Sequence, residues 1–168
     1  MRVFLGLGSN VGERLQNLQA AVNLLDLRVG TVVRIASVYE TAPVYVEDQP
    51  SFLNTVVELE TKMPPGDLLR AVKDVEREIG RISRERFGPR EIDVDLLLFK
   101  DGTTVHSDEL TVPHPHLTER RFVLEPLAEL CPDCVVSERS VAEWLAESSV
   151  YAQQVERTGE SLLFVHRD

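Results

Sequence analysis

Apolar and polar residues alternate along the first thirty positions in a way that predicts a strand and then a helix. The apolar stretch VFLGL (3–7) is short, which is typical of a buried strand. The apolar residues after it recur at steps of four and three, which lines one face of a helix that runs to about Leu27. They are Val11, Leu15, Leu18, Val22 and Leu25. We expect Asn10 to cap the start of this helix and Gly30 to close it.

The next part of the chain predicts two long strands and a second helix. Residues 31–41 and 51–61 are rich in β-branched and aromatic side chains, and a polar segment, 42–50, joins them, which is typical of an antiparallel pair. After the PPGD turn, apolar residues again repeat at steps of four and three, and Gly80 is the expected end of the helix. These residues are Leu68, Val72, Val75 and Ile79.

The remaining pattern completes an α+β fold. The segment EIDVDLLLF (91–99) predicts a strand, residues 112–121 predict a loop punctuated by prolines, and short helices are expected near 122–130 and 139–147. The core order is therefore β-α-β-β-α-β, the ferredoxin-like arrangement in which an antiparallel sheet carries both helices on one face. The apolar LLFV near the end of the chain is a candidate edge strand among the C-terminal additions.

Composition and charge narrow the functional classes. The chain has 168 residues, 43% of them hydrophobic, which suits a single domain, 1–168, with a substantial core. A net charge of −10 argues against nucleic acid and anionic membranes as partners, since both attract basic surfaces. No apolar run reaches the ~18 residues of a membrane span, and the N-terminus turns polar too soon for a signal peptide, so we expect a cytoplasmic protein.

The cysteine pair in CPDC has more than one interpretation. Cys131 and Cys134 are the only cysteines, and two thiolates alone cannot complete the four ligands of a structural zinc site. The motif does not open a helix after an N-terminal strand as thioredoxin-like motifs do, although a redox role stays open. We expect two free thiols in a reducing compartment.

Two aspartates stand in the predicted strand 91–99. Alternate residues of a strand point the same way, so Asp93 and Asp95 share one face, with Cα atoms roughly 6.5 Å apart. Aspartate is depleted in strands and a same-face pair repels itself, which a divalent cation would relieve. Hard oxygen ligands favour Mg²⁺, which typically takes one or two carboxylates together with substrate phosphates. The alternative is a solvated strand end that the aspartates keep soluble.

Arginines cluster just before the aspartates, although the chain is acidic. The segment 77–90 holds Arg77, Arg81, Arg84, Arg86 and Arg90, whereas the whole chain has 18 lysines and arginines. Metal ions and guanidinium groups together neutralise the charge of a phosphoryl group during transfer. The alternative is a solvated charged loop with Glu85 and Glu91 as partners.

Five segments of the chain stand in an order and spacing that point to one family. They are GLGSN (6–10), YETAP (39–43), DQPSFLN (48–54), FGPREIDVDLLLF (87–99) and LTVPHPHLTERRFVLEPL (110–127). Jointly they resemble the 6-hydroxymethyl-7,8-dihydropterin pyrophosphokinases of folate biosynthesis, over about residues 2–130. The resemblance implies a ferredoxin-like fold and an ATP-dependent diphosphokinase. Such an enzyme transfers the β,γ-diphosphate of ATP to the pterin hydroxymethyl group and releases AMP.

The resemblance also implies roles for individual residues. Two Mg²⁺ ions are expected at Asp93 and Asp95, and Arg81 and Arg90 match the catalytic arginines of a loop. The residues that match pterin-binding positions are Gly8, Thr41, Ala42, Val44, Phe52, Asn54 and Phe122. The residues that match ATP-binding positions are Glu76, Arg84, Arg86, Leu96, Thr111, His114 and Arg120, with Leu96 contributing through its backbone.

The chemistry of these residues leaves some alternatives open. Aromatic rings such as Phe52 and Phe122 suit a planar ligand, although a lone phenylalanine is more often part of a core. An asparagine inside a strand is disfavoured, so Asn54 fits a ligand role. The histidines His114 and His116 are alternatively half of a zinc site or plain loop polarity.

The sequence departs from the family at several places that concern ATP. Glu109 stands where relatives often have an arginine, Pro115 replaces a commonly aromatic residue, and Phe87 stands where tryptophan is frequent. The arginine loop is also one residue shorter than in some members. Two other functions stay open beside the pyrophosphokinase. One is a different Mg²⁺-dependent nucleotidyl- or phosphotransferase that lacks the pterin pocket, and the other is a non-catalytic ligand-binding or regulatory module.

Overall fold

The computed structural model of the chain describes residues 1–41, 49–80 and 91–164. The strands are β1 (Arg2–Ser9), β2 (Thr31–Ile35), β3 (Tyr39–Thr41), β4 (Phe52–Glu60), β5 (Asp93–Phe99), β6 (Val105–His106), β7 (Thr111–Val112), β8 (Val135–Val136), β9 (Arg139–Ser140) and β10 (Val155–Arg157). The helices are α1 (Arg14–Arg28), α2 (Pro65–Ile79), α3 (Arg121–Leu130), α4 (Val141–Ala146) and α5 (Ser148–Tyr151), with a 3-10 turn at Leu117–Glu119.

The main sheet is antiparallel and has β1 near its centre. Its strands run in the order β10-β3-β4-β1-β5, and β2 pairs with β4 beside β3. The predicted single strand over 31–41 is wrong, because the pairing with β4 slips within β2 and again between β2 and β3. Each slip inserts extra residues, as a β-bulge does, and the two slips divide the predicted strand. The α+β order of strands and helices is otherwise as predicted.

The two faces of the sheet are covered by different helices. The amphipathic helices α1 and α2 pack on one face, where Leu18, Val22 and Val72 meet the strand residues Leu5 and Val94. Helices α3 and α4 cover part of the other face. There the buried residues are Phe4, Val56, Leu97, Leu124, Leu127 and Val141. The sheet therefore has one face that the core helices close and one face that α3 leaves partly open.

The predicted start of the first helix differs from the observed one, whereas its predicted end agrees with the structure. Helix α1 begins at Arg14, and Asn10 is no cap, because its Nδ2 donates to Gln49 Oε1 (2.8 Å) and to the carbonyl of Pro50 (3.1 Å). Gly30 closes the helix as predicted, since its N–H donates to the carbonyl of Leu25 at 3.1 Å. A Cβ at Gly30 would also lie 2.2 Å from the carbonyl oxygen of Glu60. The predicted end of α2 is confirmed, since Gly80 has φ 101° in the left-handed region.

The C-terminal part contradicts two expectations. Cys131 and Cys134 are not free thiols but form a disulfide, with Cα atoms 5.4 Å apart, where the chain turns after α3. The edge strand is β10, which pairs with β3, whereas the described part of LLFV (162–164) forms no strand. Leu162 is instead buried in the core under α1 and α2. None of the helices in the described residues is long and apolar enough to cross a membrane.

Candidate active site

The strand register brings several predicted site residues into one row. Gly8 on β1 pairs with Asn54 on one side and with Asp93 on the other, and Tyr39 pairs with Asn54 in turn. Directly paired residues of antiparallel strands point to the same face. Val94 faces α1 and α2, so the neighbouring Asp93 points to the opposite face, the one that α3 partly covers. The row therefore lies across the partly open face of the sheet.

Gly8 leaves room for its neighbours in this row. An ideal Cβ at Gly8 would lie 2.8 Å from Asn54 Oδ1 and 3.7 Å from Phe52 Cδ1. Asn54 is buried, and its Nδ2 donates to Thr41 Oγ1 at 2.8 Å. Thr41 in turn pairs with the half-buried Phe52. The structure thus brings together four of the predicted pterin-binding residues, at the ends of β1, β3 and β4.

The two aspartates lie on the same face at the start of β5. Both are half-buried, and Val94 between them donates its backbone N–H to Glu76 Oε1 at 2.8 Å. Because β5 is the last strand of the described sheet, this N–H has no neighbouring strand there to bond and needs another acceptor. Glu76 is only 1% exposed and also accepts from Lys73 Nζ at 3.2 Å. Glu76 therefore anchors the strand segment that carries both aspartates.

The loop after β7 lies against the same edge strand. The backbone N–H of His114 donates to the carbonyl of Leu97 at 2.9 Å, and His114 Nδ1 accepts from the N–H of His116 at 3.1 Å. Burial lowers the pKa of His114, and the charges of Arg120 and His116 lower it further, while Asp95 opposes the shift. The imidazole is therefore neutral near pH 7, with Nε2 left as its N–H donor.

Near the start of α3, a predicted ATP-binding residue, Arg120, lies close to a predicted pterin-binding residue, Phe122. The guanidinium carbon of Arg120 lies 5.6 Å from the centre of the Phe122 ring, within the range of a cation–π contact. Arg120 also acts electrostatically on His114, as does Asp95. Phe122 is half-buried beside the cluster under α3. Residues assigned to ATP and to the pterin therefore meet at this helix terminus.

A cavity of about 450 Å³ opens beside the loop that carries His114. Its walls include Thr111, Val112, His114, Thr118, Val136 and Ser137. Two of the predicted ATP-binding residues, Thr111 and His114, thus border one space. Leu96 does not line it, because its side chain lies in the core under α1 and α2. The contact proposed for the backbone of Leu96 stays a prediction.

The remaining predicted residues fall outside the described part of the chain. Ala42, Val44, Arg81, Arg84, Arg86 and Arg90 are in this group, so their roles stay predictions. Within residues 1–41, 49–80 and 91–164, no three His, Cys, Asp or Glu side chains come together as a metal site. The metal role of Asp93 and Asp95, two half-buried carboxylates on one face of β5, stays a prediction.

Tyr39 is a buried residue beside Asn54 to which the sequence analysis assigns no role. Its side chain shares the face of Asn54, and its hydroxyl bonds Glu129 of α3. Burial, together with the hydrogen bond and charge of Glu129, raises the pKa of Tyr39 well above its usual range. Glu129 also accepts from the N–H of Ser37 at 3.0 Å. The alternation of side chains along the strand could have placed Tyr39 on this face, since it stands two residues before Thr41.

Comparison with known proteins adds the family to this geometry. The family model described as 7,8-dihydro-6-hydroxymethylpterin-pyrophosphokinase (HPPK) matches residues 4–132. The 2-amino-4-hydroxy-6-hydroxymethyldihydropteridine pyrophosphokinase of Bacillus subtilis is 46% identical over 129 residues, which are 76% of this chain and 77% of that protein. The chain belongs to this pyrophosphokinase family. The predicted resemblance is confirmed.

Other members of the pyrophosphokinase family are parts of longer proteins. The mitochondrial folate synthesis bifunctional protein of Pisum sativum is 47% identical over 142 residues, which are 84% of this chain but 27% of that protein. This chain thus spans about a quarter of the length of the pea protein. The crystal structure of Plasmodium falciparum HPPK-DHPS wild type with pteroate has a TM-score of 0.70 at 15% identity. That likeness covers 85% of this chain and 43% of the other, and shows the same fold.

Proposed function

We propose that this protein transfers the β,γ-diphosphate of ATP to the hydroxymethyl group of 6-hydroxymethyl-7,8-dihydropterin in folate biosynthesis. The observation that carries the proposal is the row formed by Asn54, Gly8 and Asp93 across three adjacent strands. It sets an amide beside a phenylalanine, Phe52, at one end and a carboxylate at the other. A planar heterocycle and a metal-bound phosphate chain are the ligands that these two ends suit.

The pterin end of the proposal rests on shape and hydrogen bonding. The amide of Asn54 offers both a donor and an acceptor to the polar edge of a pterin. Phe52 and Phe122 are half-buried aromatic rings, and we assign them to the two faces of the heterocycle. Thr41, whose hydroxyl accepts from Asn54, holds the amide in place. The further contacts proposed for Gly8, Ala42 and Val44 complete the pocket.

The metal end rests on the donor set of β5. Asp93 and Asp95 are half-buried carboxylates on one face of a strand, and such hard oxygen donors fit Mg²⁺. We assign two Mg²⁺ ions to them, which when bound would neutralise the charge of the transferred phosphates. Glu76 keeps both aspartates in register by its bond to Val94.

The nucleotide end rests on the cavity and its positive neighbours. We assign the nucleoside of ATP to the cavity beside Thr111 and His114, with a neutral imidazole as hydrogen-bond donor. Arg120 contacts the ring of Phe122 and acts electrostatically on His114 in the cavity wall, and we assign its guanidinium to phosphate oxygens. The other proposed ATP contacts are Glu76, Arg84, Arg86 and the backbone of Leu96. The proposed catalytic arginines are Arg81 and Arg90.

The chain's groups act by positioning and charge rather than by covalent catalysis. The substrate hydroxyl attacks the β-phosphorus and gives its proton to solvent water, and the bond from that phosphorus to the bridging oxygen breaks, so that AMP leaves with that oxygen. The row across the sheet holds the pterin so that its hydroxymethyl group points toward the aspartates. The arginines hold the phosphate oxygens as their charge is redistributed.

The arrangement of strands and helices fits the fold expected for this function. We infer a ferredoxin-like core from the strand order β4-β1-β5 and from the packing of α1 and α2 on one face. We further propose that residues 1–168 form one domain. The cytoplasmic location stays a prediction from the sequence.

Release of AMP from ATP tests the proposed function. With Mg²⁺ present, AMP should appear only when 6-hydroxymethyl-7,8-dihydropterin is added, together with the diphosphorylated pterin. Nucleotide turnover that does not need the pterin would favour the other transferase. Ligand binding with no AMP under any condition would favour the non-catalytic module. Asp93→Ala and Asp95→Ala should each abolish Mg²⁺-dependent nucleotide binding, and unchanged binding in both would refute the metal assignment.

A further inference from the structure

The segment after α5 lies against the start of α3, and the two segments are joined by hydrogen bonds in both directions. Gln153, between α5 and β10, contacts the backbone around Arg120, and Arg121 contacts the backbone around Gln153. Residue 153 lies outside residues 4–132, which match the family. The contact therefore joins a part of the chain beyond the family match to the helix terminus that carries two proposed site residues.

The carboxamide of Gln153 bridges the two peptide groups on either side of Arg120. Its Nε2 donates to the carbonyl of Glu119 at 2.8 Å, and its Oε1 accepts from the N–H of Arg121 at 2.9 Å. One side chain thus holds both ends of a single residue. Arg120 itself has extended backbone geometry, with φ −119° and ψ 108°.

The side chain of Arg121 makes the return half of this contact. Its Nη1 donates to the carbonyl oxygens of Tyr151 and Gln153, both at 2.8 Å, and its Nε donates to Glu125 Oε2 at 3.0 Å. The guanidinium carbon also lies 4.5 Å from the centre of the Tyr151 ring. Arg121 is mostly buried, with 18% of its side chain exposed. The segment that carries Gln153 is therefore held firmly against α3.

Gln153 also provides a hydrogen-bond acceptor at the N-terminus of α3. The first N–H groups of a helix have no partner within the helix and are usually satisfied by a capping side chain. Helix α3 has no such cap from Arg120, the residue at its cap position. Gln153 Oε1 accepts from the N–H of Arg121, the first helical residue, and so provides the missing acceptor from a distant part of the chain.

We propose that Gln153 is a positioning residue that sets Arg120 for the phosphates of ATP. This inference rests on the proposed function and deepens it. Fixing the peptide groups on both sides of Arg120 limits the directions that its side chain can take. A guanidinium that is already oriented loses less entropy when it binds an anion, so binding is tighter.

The test is a set of variants assayed for AMP release and for binding of a non-hydrolysable ATP analogue. Gln153→Ala should raise the KM for ATP and the Kd of the analogue by about 5- to 20-fold. Gln153→Glu keeps an acceptor for the Arg121 N–H but sets a carboxylate oxygen against the Glu119 carbonyl in place of a donor, so both constants should rise in this variant as well. Gln154→Ala removes the same kind of side chain from the exposed next residue and is the matched control, with both constants unchanged within about 2-fold.

A double-mutant cycle separates positioning from mere stabilisation. If Gln153 acts through Arg120, then Gln153→Ala should have no further effect on the KM for ATP in an Arg120→Ala background. The same 5- to 20-fold rise in that background would overturn the proposal. An unchanged KM in folded Gln153→Ala and Gln153→Glu would overturn it as well. Failure of the wild-type protein to release AMP with the pterin would instead overturn the proposed function.

Discussion

Replacing Gly8 by alanine is the most direct way to perturb the pterin end of the site. The backbone of Gly8 is extended within β1, so alanine is not excluded by backbone strain. The added methyl group would lie 2.8 Å from Asn54 Oδ1, whereas ordinary contacts begin at 3.4 Å. The carboxamide oxygen must therefore move by about 0.6 Å or the strands must separate.

The cost of this movement follows from the partners of Asn54. Its amide is buried and donates to Thr41 Oγ1 at 2.8 Å, so a displaced amide leaves polar groups poorly paired. An unsatisfied buried group costs about 1 to 3 kcal/mol. If the same amide orientation binds the pterin, affinity for the pterin should fall by about 5- to 150-fold. Binding of ATP should change much less, because its proposed contacts in the described residues lie on α2, β5, β7, the loop after β7 and the residue before α3.

Calorimetric titration with 6-hydroxymethyl-7,8-dihydropterin, together with the KM for each substrate, measures this effect. Gly6→Ala is the matched control: it adds the same methyl group two residues earlier on the same face, where the nearest atoms are Leu97 side-chain carbons at 3.4 Å. That variant should keep wild-type pterin affinity. In an Asn54→Ala background, Gly8→Ala should add no further loss. Unchanged pterin affinity in a folded Gly8→Ala variant would refute the reasoning.

Three further variants test other parts of the structure. Glu76→Ala should lower the free energy of unfolding by about 1 to 3 kcal/mol, because it removes the acceptor for the backbone N–H of Val94. Glu76→Gln keeps an acceptor and should lose much less, so equal losses in urea unfolding would contradict the anchoring role. Burial by itself raises the pKa of Glu58, but hydrogen bonds and charges from Arg34 and Lys100 outweigh burial and hold it below the usual range. The ionised carboxylate of Glu58 should therefore stabilise the fold above its unfolded pKa of about 4.3, and this stabilisation should be lost as the pH falls through its folded pKa. Glu58→Gln should flatten the decline of the free energy of unfolding below about pH 5. An unchanged slope would argue against this role of Glu58. His114→Ala should weaken ATP binding and leave pterin binding nearly unchanged, and equal loss of both would show the assignment wrong.

Local patterns in the sequence predict the parts of the site that depend on neighbours in the chain. Alternation along β5 places Asp93 and Asp95 on one face, and this follows from strand geometry alone. The steps of four and three locate α2, and they place Glu76 four residues after the buried Val72. A carboxylate on the apolar face of a helix needs a buried partner, so that position is itself a signal.

Contacts between distant segments are what the sequence pattern does not contain. The slips that divide residues 31–41 depend on how β2 and β3 pair with β4, because bulges follow from register. The disulfide is a local contact between cysteines three residues apart, but it depends on the conformation of the turn after α3, which the CPDC pattern alone does not specify. Gln153 is more than thirty residues away from Glu119 and Arg121 in the sequence, and the residues next to Gln153 do not predict that contact.

Gly8 shows how the order of the strands enters the function. A glycine inside a strand is locally unfavourable, since it has no side chain to pack and loses much conformational freedom. The reason for it appears only when β1 lies between β4 and β5, which sets Asn54 against one side of Gly8 and Asp93 against the other. An additional strand between β1 and either of these neighbours would move the amide and the carboxylates about 5 Å further apart. The requirement for glycine at this position therefore depends on the packing of β1 against β4, and substitutions there should weaken pterin binding by displacing Asn54.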